Sequence, residues 1–142
     1  MFQIVLTLHS VVRWFILVGL IYTIFISYRG WFQKRTFTSL DNTARNLTTI
    51  LTHIQLLLGI WVYFISPITD YFMHNFKDAV HERDIRFLAM EHSLMMLVSI
   101  TLITIGSMKA KRKKEDLDKF KTLAIWFSIA LVVILFAIPW RF

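Results

Sequence analysis

Polar and charged side chains in this chain are gathered into short blocks, separated by four nearly unbroken apolar stretches at about 4–27, 46–66, 87–107 and 121–140. A helix needs roughly 20 apolar residues to cross a hydrocarbon core of ~30 Å. Each stretch meets that length, and none alternates as a barrel strand would. The pattern predicts an all-α fold: four transmembrane helices in an up-and-down bundle, one integral membrane domain over residues 1–142. The second span opens raggedly, with Asn46, Thr48, Thr49, Thr52, His53 and Gln55 ahead of the run LLLGIWVYFI. A helix capped by Asp41 or Asn42 and starting in the membrane interface suits it. In the connection 67–86, Phe72, Phe76 and Val80 recur every four residues, which predicts an amphipathic helix over about 71–82 lying on the outer surface as a lid.

Charge gives these spans a direction. The first connection carries Arg29, Lys34, Arg35 and Arg45, and the last carries Lys109, Lys111, Arg112, Lys113, Lys114, Lys119 and Lys121. In the middle connection, Lys77, Arg83 and Arg86 are offset by Asp70, Asp78, Glu82 and Asp84. Basic loops stay on the cytoplasmic side, so both termini and the middle connection are expected on the outer side. Tyr28, Trp31, Tyr63, Tyr71 and Trp140 fall near the expected boundaries as interface aromatics. MFQIVLTLHS lacks a basic leader and a small-residue cleavage pattern, so the first stretch is expected to be a retained span. A composition of 56% apolar and 15% aromatic residues, with mean hydropathy +0.58, belongs to a membrane protein. The net charge of +7 lies in loops, where topology and anionic lipid explain it better than nucleic acid does. With no cysteine, disulfides, iron–sulfur clusters, thiolate zinc sites and thioether-linked haem are excluded. Any cofactor must be held by His, Met, Asp, Glu or backbone.

Ionisable groups inside spans are expensive and need a partner, a cofactor or a wet cavity. His9 lies five residues past Ile4 and His92 five past Phe87, so each is expected roughly 7–8 Å below the outer hydrocarbon edge. The first and third helices of an up-and-down bundle are parallel and diagonal, so these imidazoles meet at its axis, as a bis-imidazole haem requires. Arg13, four residues on from His9, shares its face and needs an anion: a haem propionate, Glu91 or a polarised quinone oxygen. Glu91 is a candidate partner for Arg13, or for a ring N–H of His9 or His92. His53 lies roughly a dozen ångströms deeper, and the fourth span has neither His nor Met, so a second haem lacks a ligand pair. Proton transfer, a quinone contact or a structural hydrogen bond is left for His53, with Gln55 beside it. Gly19, Gly59 and Gly106 admit a flat cofactor or a close helix. Met90, Met95 and Met96 are alternative copper(I) ligands or plain filling. His74 and His81, beside Asp70, Asp78 and Glu82, offer a loop metal site or ordinary surface.

The segments LHSVVRW (8–14), LTHIQLLLGIWVYF (51–64), EHSLMMLVSITLITIG (91–106) and FAIPW (136–140) resemble the small four-helix bacterial membrane proteins described as cytochrome b-like. More distantly, in architecture alone, the chain is similar to di-haem b-type cytochromes that exchange electrons with quinone, including superoxide-oxidising ones. The resemblance implies a bacterial inner-membrane location and haem b at His9, His53 and His92, with Arg13 beside them. Here the fourth span lacks a histidine, which leaves one haem. The expected work is one-electron transfer with quinone, quinol or superoxide, alone as a quinone-linked oxidoreductase or beside a respiratory redox partner. The other expectations are a copper- or haem-handling oxidase-assembly factor and a cofactor-free accessory subunit.

Overall fold

The computed structural model describes residues 1–139 and contains no strand among them. Helix α1 spans Phe2–Gln33 and ends at Lys34, whose left-handed backbone (φ 53°, ψ 44°) returns its N–H to the Gly30 carbonyl. Helix α2 spans Ser39–Ile65. It is started by Thr38, whose hydroxyl accepts from the Asp41 N–H while the Asp41 carboxylate accepts from the Thr38 N–H at 2.9 Å. Such a reciprocal box satisfies two donors that a bare helix end leaves orphaned. Ser66 ends α2 and caps α3 (Pro67–His74), with Pro67 at the position where its missing N–H costs nothing. Two short pieces follow, α4 (Phe76–Ala79) and α5 (Arg83–Arg86). A five-residue π-turn, Phe87–Glu91, leads into α6 (His92–Arg112), and α7 spans Asp116–Ala137.

Four helical runs are long and apolar enough to cross a membrane: α1, α2, the run Arg83–Arg112 and α7. Both ends of α1 and of the run Arg83–Arg112, and the starts of α2 and α7, reach past the expected 4–27, 46–66, 87–107 and 121–140 into residues that an interface can solvate, whereas α2 stops at Ile65 and α7 at Ala137, ahead of Pro139. Trp140, the last expected interface aromatic, and the end of the FAIPW segment lie outside the described residues. The expected lid helix at 71–82 is not continuous. It breaks at Asn75 (φ −132°, ψ 43°), whose side-chain amide and backbone N–H both return to the Tyr71 carbonyl. Short polar side chains compete with the helix in this way. Phe72 is buried with Ala79 and Ala89 beneath Ile85 and Met90, whereas Phe76 points outward.

Helix α1 packs on α2 and α7, and α6 packs on α7 and more thinly on α2. Leu17, Leu20, Ile103, Leu123, Phe127 and Ala130 form the main apolar core. Beside it runs a buried polar seam of Thr23, Ser27, Thr48, Thr52, Ser99 and Ser107. Thr23, Ser27 and Ser99 return their hydroxyls to the carbonyl one turn back, so their burial leaves no donor unpaired. Within lipid, small residues are favoured between helices because they let backbones approach. Gly19 shows it: a methyl group there would lie 2.9 Å from the Thr48 hydroxyl. Large apolar side chains such as Phe15, Val18, Leu57, Phe64 and Phe136 face outward, as lipid contact requires.

Candidate functional site

His9 on α1 and His92 at the start of α6 come together, with ring centroids 6.5 Å apart and ring planes at 82°. His92 Nδ1 is 2.6 Å from the carbonyl oxygen of Ala137. A carbonyl can only accept, so Nδ1 carries a proton, which in the neutral ring leaves the lone pair on Nε2. Ala137 is the last residue of α7, and its carbonyl belongs to the helix end that has no intrahelical donor. The imidazole therefore caps α7 and is itself fixed in rotation and tautomer.

His9 is braced from the other side. Gly59 of α2 leaves room for its ring: a methyl group there would come within 3.3 Å of His9 Cε1 and 3.8 Å of Nδ1. Gln55, one turn earlier, donates through Nε2 to the His9 carbonyl at 2.7 Å and ties the two helices at this level. Three polar atoms gathered here are buried without a partner: His9 Nδ1, Gln55 Oε1 and Arg13 Nε. The Arg13 guanidinium lies 5.0 Å from the centre of the Trp14 ring. Unsatisfied groups of this kind are uncommon in native interiors and point to an unseen partner.

Glu91 does not serve as expected. Its carboxylate accepts a hydrogen bond from Arg86 Nε at 2.7 Å, so its partner is neither Arg13 nor an imidazole. The π-turn makes this pairing possible, because its wider turn brings residues five apart onto one face. Such turns recur at functional sites, and this one delivers His92 directly after Glu91. His53 stands elsewhere: its Nε2 meets Thr104 Oγ1 at 2.9 Å, joining α2 to α6, and the residue is exposed. Met96 packs against the main core and Met90 against the Phe72 cluster. His74 bonds within its own turn to Asp70, and His81 is exposed. Among the described residues, no three His, Asp or Glu side chains are grouped to hold a metal ion.

The expectation of one metal between two imidazoles can be tested for size. Two metal–nitrogen bonds of about 2 Å each, plus two ring radii, sum to about 6 Å between ring centres. The 6.5 Å observed agrees with that span, and one of the two rings has its other nitrogen already engaged, as ligating histidines require. The donor set, two neutral imidazoles beside one arginine, suits iron in a porphyrin better than an ion that needs three or four side-chain ligands. No family model, curated protein or solved structure matches this chain.

Proposed function

We propose that this protein is a b-type cytochrome of the bacterial inner membrane, holding one haem b between His9 and His92 near the outer face. The observation that carries the reading is the 6.5 Å approach of two imidazoles from spans that do not pack closely, one of them locked by Ala137. The pairwise packing of the helices fits an up-and-down bundle with α1 and α6 on its diagonal, and the basic loops fit both termini facing outward. Haem in such a site supplies reversible one-electron transfer, here with quinone, quinol or superoxide. This chain's own residues divide the remaining work. The Ala137 carbonyl makes His92 a better donor through Nε2, while Gly59 and Gln55 hold His9 at the matching height. Arg13 presents positive charge at the site, where it offsets a carboxylate or a reduced oxygen. A quinone headgroup near the site would meet Arg13 and Gln55, each with an unpaired buried atom, and not His53, which is held by Thr104.

The test is the absorption spectrum of purified protein with and without dithionite. A Soret band that sharpens and shifts on reduction, lost in His9→Ala and His92→Ala but kept in His53→Ala, is the expected result. A colourless protein that takes up copper(I) stoichiometrically would replace this reading with the metal-handling one. A colourless protein that binds neither would favour the accessory subunit. Turnover of quinol without a protein partner would make the cytochrome an enzyme in its own right.

A further inference from the structure

At the opposite end of the bundle from the histidine pair, Lys109, Arg112 and Lys113 line a shallow, open hollow of about 250 Å³. All three are exposed, and among the described residues none forms an ion pair with a carboxylate. Cations in the last turn of a helix offset its carbonyl dipole, which accounts for one or two of them. The positive-inside bias accounts for basic residues at this end in general, and three of them share this one hollow. Lys109 is pinned besides, with Nζ 5.1 Å from the centre of the Trp126 ring on α7. Trp126 in turn covers Gly106, so the hollow sits beside a tightly closed α6/α7 seam.

Immediately below the hollow the same face of α6 becomes apolar. Ile105, Met108, Lys109 and Arg112 follow the i, i+3, i+4, i+7 spacing of one helix stripe, and Ile105 and Met108 are exposed. Ile125, Ile129 and Val132 expose further apolar surface on α7. An apolar track that ends in three cations at the membrane boundary matches one molecule in two parts. We propose that Lys109, Arg112 and Lys113 seat the phosphate of an anionic phospholipid whose acyl chain lies along the Ile105 and Met108 stripe. Anionic lipid is plentiful in the cytoplasmic leaflet, the side to which the basic loops assign this end. The seat does not depend on haem, since none of its residues touches His9 or His92.

Native mass spectrometry of the full chain in detergent, titrated with phosphatidylglycerol or phosphatidylcholine, tests the proposal. Wild-type protein is expected to retain phosphatidylglycerol and release phosphatidylcholine at the same concentration. Lys109→Gln/Arg112→Gln/Lys113→Gln is compared with Lys34→Gln/Lys111→Gln/Lys114→Gln, which removes equal charge from neighbouring positions that do not line the hollow. The first variant is expected to lose phosphatidylglycerol at least about tenfold more than the second. Equal losses would mean diffuse attraction and overturn the site. Equal retention of the two lipids by wild type would overturn it without any variant. Displacement of phosphatidylglycerol by millimolar inorganic phosphate would also refute it, because the acyl track would then contribute nothing.

Discussion

Gly59→Ala separates the histidine site from the rest of the fold. A methyl group there would press on His9 Cε1 at 3.3 Å, so the ring must retreat by a few tenths of an ångström or α1 must move. Replacing an interior helical glycine by alanine gains about 1 kcal/mol. Overpacking of this degree costs about 1–3 kcal/mol. The net change in stability is therefore expected between zero and about 2 kcal/mol, a modest fall in melting temperature in detergent. Under the proposed haem ligation, retention of the cofactor should respond more sharply, since a ligand bond of about 2 Å does not tolerate such a displacement. The measurement is the Soret absorbance relative to protein absorbance after purification, together with thermal unfolding followed by circular dichroism. Gly19→Ala is the comparison: it crowds the Thr48 hydroxyl at 2.9 Å, far from the imidazoles, and is expected to lower stability while keeping the haem. Full haem retention in both Gly59→Ala and Gly59→Leu would refute the bracing of His9 against α2.

Thr38→Ala removes the capping box that starts α2 and is expected to cost about 1 kcal/mol, read as a lower melting temperature with an unchanged Soret band. Gly30→Ala would drive a methyl group to 2.5 Å from the ring of fully buried Phe120, so a loss of about 3 kcal/mol or failure to accumulate is expected, checked by expression and unfolding. In the connection between α2 and α6, the Glu82 carboxylate beside Tyr71, whose OH donates to it at 3.3 Å, raises that phenol above its ordinary value of 10.0. A raised folded value means that the contact is present below pH 10 and is lost as pH rises through the folded midpoint. Titration at the phenolate absorbance, compared between wild type and Glu82→Gln, should show a component from Tyr71 that moves down toward its ordinary value in the variant.

The four spans were legible because apolar length is counted directly in residues, and a crossing demands a minimum of it. That His9 and His92 come together was legible from the same counting. The Glu91 partner was not legible: on a regular α-helix, Arg86 and Glu91 point about 140° apart, and only a π-turn makes them neighbours. Ala137 was hidden for another reason, since the group that holds His92 is a backbone carbonyl that no side-chain letter advertises. Pro139 was the available signal, because a helix stopped there must leave carbonyls for some other donor. Gly59 was recognised as permissive, but the pattern along one helix does not say whose ring fills the space.

The capping of α7 by His92 also bears on how the protein is made. Ribosomes deliver segments in order, so His9 and His92 enter the bilayer before the helix that orients the second of them. Until Ala137 has been synthesised and inserted, the later imidazole is free to swivel. Any cofactor loading that requires a preset ring must then wait for α7.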